Sequence, residues 1–299
     1  PPANSMRSSM AEVDHQDRSS FRAALVQMRS GVDRGRNVDA ALALIAEAAK
    51  AGAHFIATPE MTTAVDRDGA RLAASLPEGE GIAEIGAFSA AASDHGVWLL
   101  IGSMPVRRAD GKLANRSFLF GPDGAITARY DKIHMFDVSL ADGESWRESR
   151  TYEPGTEAVV AQTPLAAFGL SICYDVRFPA LYRALAQAGA EVLCVPAAFT
   201  RQTGRAHWKT LLAARAIECG AFVLAPAQGG VHEDGRETFG HSLVISPWGD
   251  ILTEARGDEP GVIFADIDIR RAVVARRQIP SLSLDAPALG NPVRVVSSD

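Results

Sequence analysis

The chain has 299 residues and a formal charge of −6, with 47% hydrophobic and 22% charged residues. That is the composition of a folded globular chain long enough to bury a core without staples, and it excludes a disordered protein. The acidic balance argues against a nucleic-acid or anionic-membrane partner, and no apolar run approaches the roughly 18 residues of a membrane-spanning helix.

In chain order, residues 1–20 have no apolar signal-peptide core. They are expected to form a flexible N-terminal tail or an expression remnant. Arg22–Met28 reads as a buried strand. Asn37 offers a cap to a helix running to Gly52, with apolar residues at helical spacing. His54–Thr58 is the next strand, closed by Pro59-Glu60, followed by a helix over Gly81–His95 and a strand over Val97–Gly102. Ser117–Phe120 and Ala125–Tyr130 flank a Gly-Pro-Asp-Gly turn and form a hairpin. Ala167–Cys173 is a strand that turns into a helix begun by Pro179 and ending at Ala188. A strand over Glu191–Pro196, a helix over Ala206–Glu218 and a strand over Ala221–Ala225 come next. A second hairpin pairs Ser242–Ser246 with Ile251–Glu254, and the strand Val262–Ile267 and a short helix to Arg277 close the pattern. Alternating strands and helices interrupted by two hairpins predict an α/β protein with mixed sheets in one domain over residues 21–280. Residues 281–299 are a C-terminal extension.

The standard motifs are missing. There is no Gly-x-Ser-x-Gly serine elbow, no dinucleotide-binding glycine triplet after a strand and no phosphate-binding loop. His232-Glu233 is not followed by a second zinc-binding histidine, and the seven histidines have no ligand spacing, so neither a metal nor an organic cofactor is expected. Three cysteines, none in a Cys-x-x-Cys pair, suit a reducing, cytoplasmic setting.

Cys173 stands out by its position. A strand-to-helix turn exposes a side chain at the mouth of a sheet and leaves backbone N–H groups nearby. Cys194, inside a buried strand, and Cys219, at a helix end, read as small core hydrophobes. No histidine is an evident base for the thiol. Two other strand-end residues offer chemistry instead: Glu60 after HFIATP and Lys132 after ARYD, one of only four lysines. Each alone can be read blandly, Glu60 as a turn carboxylate and Lys132 as a surface lysine with a buried stem. Together with Cys173, a carboxylate can take the thiol proton, and a lysine can lower the thiol pKa and neutralise an oxyanion.

With these segments in view, the sequence resembles the nitrilase superfamily, the carbon–nitrogen hydrolases. The likeness rests on PE at 59–60, YDKIHMFDV at 130–138 and SICYDVRFP at 171–179. It continues through AFTRQTGRAHWKTLLAARAIE at 198–218 and GHSLVISPWGDIL at 240–252, covering about residues 21–280. The resemblance implies an α-β-β-α sandwich that pairs in a homodimer as α-β-β-α-α-β-β-α, with the C-terminal extension at the dimer contact. It implies Cys173 as nucleophile, Glu60 as general base, Lys132 and the Tyr174 backbone N–H as oxyanion stabilisers, and Glu148, in WRESRTYEPG, as a second glutamate. No metal or cofactor is implied. Tyr-Asp-x-Arg-Phe after the cysteine resembles the Nit-type amidases. The segment from Gln228 to His232 followed by GRETFGHS resembles those acting on deaminated glutathione more than the ω-amidases.

The implied substrate is therefore a small-molecule amide. The alternatives are 2-oxoglutaramate, an N-carbamoyl amino acid, a short aliphatic amide, or an inactive nitrilase-like scaffold. Arg177 is a candidate for holding a substrate carboxylate, with an ion pair to Asp175 as the competing reading. Phe199, Thr200 and Thr203, on the loop after a strand, are candidate pocket walls. Trp208 and Trp248 read as core or dimer-contact residues.

Overall fold

The computed structural model describes residues 20–139 and 145–284; the expected tail, apart from residue 20, and residues 285–299 of the C-terminal extension lie outside them. The elements of the first half are β1 (Phe21–Gln27), α1 (Arg34–Lys50), β2 (Phe55–Ala57), α2 (Gly69–Ala74), α3 (Ala83–His95), β3 (Trp98–Arg107), β4 (Leu113–Phe120), β5 (Ile126–Asp131), β6 (Asp137–Ser139) and β7 (Ser145–Arg147). The second half holds β8 (Val159–Gln162), β9 (Ala167–Leu170), α4 (Pro179–Gln187), β10 (Val192–Cys194), α5 (Arg201–Cys219), β11 (Phe222–Ala225), β12 (Gly229–Val231), β13 (Glu237–Phe239), β14 (Leu243–Ile245), β15 (Ile251–Glu254), β16 (Gly261–Ile267) and α6 (Arg270–Gln278).

Two six-stranded sheets result, ordered β16-β1-β2-β3-β4-β5 and β15-β14-β11-β10-β9-β8. Each has three parallel strands at its centre, β1-β2-β3 and β9-β10-β11, with antiparallel strands on either side. The period-2 alternation of a strand sorts their side chains between two layers. Ala24, Val26, Ile56, Leu99 and Ile101 pack with Val38, Ala41 and Ile45 of α1 and Phe88 of α3. Their neighbours Ala23, Leu25, Phe55, Ala57 and Leu100 face the second sheet and share its core. Phe55 of β2 stacks on Phe168 of β9 with ring centroids 4.3 Å apart, joining the sheets at their centres. Helices α4 and α5 cover the far side of the second sheet. The expected α-β-β-α sandwich with mixed sheets is the observed fold.

Several boundaries differ from the sequence reading. Asp33, not Asn37, caps α1, accepting from the Arg36 N–H; Asn37 is buried and bonds Gly31 to Thr63. Helix α5 starts at Arg201, five residues before the expected Ala206, because the Thr200 hydroxyl caps it. Strand β9 ends at Leu170, and Cys173–Arg177 forms a short 3₁₀ turn. The hairpins β6–β7 and β12–β13, strand β8 and helix α2 were not read from the sequence. They are three to six residues long, too short for a period to show. The first residues of the expected extension fold onto their own chain: Gln187 donates to the Leu282 carbonyl at 3.1 Å, and Arg183 reaches that of Ser281.

Candidate active site

The site forms where chain segments leaving strands of both sheets meet, three of them parallel strands and one the edge strand β5, the usual place for a crevice in an α/β protein. Glu60 follows β2, Cys173 follows β9, Ala198 follows β10 and Lys132 follows β5. Lys132 Nζ lies 2.8 Å from Glu60 Oε1 and 2.9 and 3.1 Å from the two oxygens of Glu148. The Glu60 Oε2 accepts from the Ala198 N–H at 2.9 Å, and Glu148 Oε2 from the Phe136 N–H at 2.7 Å. Cys173 lines the same cavity as Glu60 and Lys132, close enough for their charges to act on its thiol. Glu60, Lys132 and Cys173 are 4%, 2% and 7% exposed, so water screens their charges little.

Their electrostatics follow from that burial. Burial alone would raise the Glu60 pKa, but the Lys132 ammonium outweighs it and holds the carboxyl below the usual glutamate range. Burial would likewise lower Lys132, and Glu148 and Glu60 outweigh it, holding the ammonium well above the lysine range. The thiol is pulled both ways. Lys132 does pull it down, but burial and the Glu60 charge push harder, so Cys173 rests as a neutral thiol beside an ionised carboxylate. Burial raises the other two thiols as well, Cys219 to about 12. All three cysteines are free.

The backbone at this floor is strained. Cys173 and Met61, which follows Glu60, have φ of 49° and 56°, in the left-handed region that costs a side-chain-bearing residue about 1–3 kcal/mol. The Cys173 N–H donates to the Pro196 carbonyl at 2.9 Å, and the Met61 N–H to Ser103 Oγ at 2.9 Å.

Residues missed by sequence reasoning complete the floor. Asn115 of β4 donates to Glu60 at 3.0 Å and Glu148 at 3.1 Å. Gln228 Nε2 supports the Glu60 turn from behind, bonding the carbonyls of Glu60 and Met61 at 3.1 and 3.2 Å. Asp175 is fully buried; it accepts from the Ile172 N–H, the Tyr130 hydroxyl and the His134 N–H, and pairs with His134 Nδ1. No motif marks Asn115, because its partners lie 33 and 55 residues away in sequence.

Above the floor opens a cavity of about 750 Å³, lined by all the expected pocket residues: Tyr174, Arg177, Phe199, Thr200 and Thr203. With Asp175 committed elsewhere, Arg177 is held by its rings and His207. Its guanidinium carbon lies 5.4 Å from the Phe199 ring and 5.9 Å from that of Tyr174, and Nη2 is 3.3 Å from His207 Nδ1. Thr200 and Thr203 lie at the start of α5, not on a free loop, and their hydroxyls bond each other at 2.8 Å. Trp208 is core, whereas Trp248 is about half exposed.

The match to the carbon–nitrogen hydrolase family model spans residues 22–277. A deaminated glutathione amidase from Synechocystis sp. is 40% identical over 266 residues, covering 88% of this chain and 97% of the relative. The human ω-amidase NIT2 is 36% identical, covering 88% of this chain and 94% of its own. A mutant amidase from Nesterenkonia sp. AN1 aligns with a TM-score of 0.75 and 26% identity, over 88% of this chain and 95% of that one. It bears the acetamide moiety of fluoroacetamide covalently added at its active-site cysteine. The chain belongs to the carbon–nitrogen hydrolase family, as a hydrolase of carbon–nitrogen bonds other than peptide bonds.

Proposed function

We propose that this chain hydrolyses deaminated glutathione to 2-oxoglutarate and cysteinylglycine, with Cys173 as nucleophile. The observation that carries this reading is the Lys132–Glu60–Glu148 cluster, set beside the Cys173 thiol at the base of a cavity whose wall holds Arg177. The similarity to the Synechocystis enzyme supports the substrate.

Cys173 Sγ attacks the amide carbon as Glu60 takes the thiol proton. A neutral thiol needs that base, so attack and proton transfer are coupled. The oxyanion is met by the Lys132 ammonium and the Tyr174 N–H. The C–N bond breaks as Glu60 gives its proton to the leaving amine, and a thioester stays on Cys173. Glu60 then takes a proton from water, whose oxygen attacks the thioester; collapse expels the sulfur, which recovers that proton, and the acid leaves. Glu148 keeps Lys132 charged and in place throughout. Arg177 holds the 2-oxo acid carboxylate, and Phe199, Thr200 and Thr203 shape its pocket.

The similarity to human ω-amidase favours 2-oxoglutaramate as a second reading. Both substrates share the acyl half and differ in the leaving amine. A product assay separates them: release of cysteinylglycine is expected to have the higher kcat/KM, and faster turnover of 2-oxoglutaramate or propionamide would overturn the first reading.

The same reading includes a cytoplasmic homodimer. Ile217, Trp248, Val274 and Ile279 are 49–54% exposed, an apolar face without a cover in the single chain. Light scattering at micromolar concentration should give twice the chain mass; a fully active monomer would remove the dimer from this account. Among the described residues no helix is long and apolar enough to cross a membrane.

A further inference from the structure

Arg236 immediately precedes β13 and lines the same cavity as Cys173. It sits over Trp146 with its guanidinium carbon 4.5 Å from the ring, and Arg67 sits 4.9 Å from the same ring. From Trp146 a run of aromatic rings crosses the cavity wall: Trp146 to Phe136 at 6.3 Å, then Phe136 to Tyr174 at 5.1 Å. Arg177 lies against Tyr174, so the wall has an arginine at each end, with the residue after the nucleophile between them.

The charge of the cavity is the reverse of the chain's. Six basic side chains line it against three carboxylates. Glu60 and Glu148 are taken by Lys132, and the third, Asp66, is bound by Arg71 at 2.7 and 3.0 Å. Two donors at the Arg236 end lack an acceptor: Trp146 Nε1 and Arg236 Nε are buried and have no hydrogen-bond partner among the described residues. Asp234 forms an ion pair with Arg236, its Oδ2 3.6 Å from Nη2 and its Oδ1 accepting from the Arg236 backbone N–H at 2.9 Å, but Oδ2 is beyond hydrogen-bonding range of the guanidinium and has no hydrogen-bond partner of its own among the described residues. Buried donors without acceptors are costly, and a ligand carboxylate brings two acceptor oxygens.

We propose that Arg236 and Trp146, flanked by Arg67, form a second anion subsite that binds the carboxylate of the leaving amine. The inference rests on the deaminated-glutathione reading and deepens it. That substrate carries one carboxylate on its 2-oxo acid end and another on its glycine end. Arg177 takes the first and Arg236 the second, with the scissile amide held between them over Cys173. A substrate whose leaving group is ammonia uses one end only. Selectivity between the two amides thus resides at Arg236, away from the reacting atoms.

The test compares deaminated glutathione with its analogue in which the glycine carboxylate is a neutral carboxamide, alongside 2-oxoglutaramate. Wild-type enzyme is expected to prefer the free carboxylate by at least about tenfold in kcat/KM, mainly through KM. In Arg236→Gln that preference is expected to fall to within about twofold, with a smaller loss on 2-oxoglutaramate. Arg236→Lys should retain part of it, keeping the charge without the planar fork. Equal loss on all three substrates overturns the subsite. So does wild-type enzyme that hydrolyses the acid and the carboxamide alike, a comparison that needs no variant. Wild-type enzyme inert to deaminated glutathione but active on 2-oxoglutaramate overturns the function reading along with the subsite.

Discussion

On the cavity floor, one ammonium sits between two carboxylates at 2.8 to 3.1 Å, and Asn115 bonds both acids from the other side. At the rim, Arg177 and Arg236 rest over aromatic rings at 4.5 to 5.9 Å; neither guanidinium has a carboxylate within hydrogen-bonding range among the described residues, although Asp234 pairs with Arg236 at 3.6 Å. On the floor Lys132, Glu60 and Glu148 hold one another before any substrate arrives, with Asn115 Oδ1 the buried atom left without a partner among the described residues, so the geometry of the charged groups is fixed by the protein. On the proposed function, an anionic ligand completes the rim. Reaction and selection are thereby separated: changes at the floor should reach kcat for every amide, whereas changes at the rim should reach KM for amides bearing the matching anion.

The largest effect should come from the floor. Cys173→Ala removes the atom that forms the thioester. Turnover of any amide is expected to fall by at least about 10³-fold, the scale of losing a covalent nucleophile. The backbone keeps the same positive φ, so the melting temperature should move little, and calorimetry checks that. Cys194→Ala and Cys219→Ala lie in the core, and any loss there should follow stability rather than kcat. A Cys173→Ala enzyme retaining more than a few per cent of the rate would dissolve the distinction between floor and rim.

The same contrast explains what the sequence could reveal. Glu60, Lys132 and Cys173 sit in short local motifs at strand ends, where a chemically odd residue is visible in one dimension; Glu148 came from the family resemblance alone. The layered fold was legible for a related reason, because strand and helix periods run through β1, α1, β3 and α5. Asn115 and Gln228 were not visible, since each acts on residues brought near only by the fold; Gln228 is 168 residues from Glu60. Trp146 and Arg236 were hidden in the same way, meeting from hairpins too short to carry a period. Sequence shows the lysine that pulls the thiol down but not the burial that pushes it up harder.

Asn115 tests the floor at intermediate size, and its effect has a sign in pH. Glu60 is held below its ordinary value, so its contribution to stability is present above about pH 4.3 and is lost as pH falls through the folded-state value. Lys132 is held above its own, so its contribution is present below about pH 10.4 and is lost as pH rises through the folded-state value. Between these limits the floor stays charged, and alkylation of Cys173 by iodoacetamide should show no inflection at pH 8–9, where an ordinary thiol titrates. Asn115→Leu removes a donor to the Glu60 carboxylate, which raises the Glu60 pKa. The acidic limb of kcat/KM should move to higher pH, with kcat down about tenfold, the scale of about 1.4 kcal/mol for a hydrogen bond to a charged group. A limb that stays in place or moves down would show that Asn115 does not tune the base.

The smallest expected effect on kcat lies at Arg177, and it asks whether the rim is selective in the way the floor is not. Arg177→Lys keeps the positive charge but loses the planar fork, and with it both the stacking on Phe199 and Tyr174 and a bidentate grip on a carboxylate. Nothing on the floor bonds to this side chain. KM for 2-oxo acid amides is therefore expected to rise about tenfold, equivalent to about 1.4 kcal/mol of charge-assisted binding, with kcat within about threefold of wild type. The net charge of −6 gives an anionic substrate no general attraction, so what Arg177 loses cannot be recovered from the surrounding field. Propionamide, which has no carboxylate, serves as the control: its KM should stay near the wild-type value. Should Arg177→Lys leave KM for 2-oxo acid amides unchanged, or raise it equally for propionamide, Arg177 would be a structural part of the wall, and the carboxylate would have to be held elsewhere on the rim.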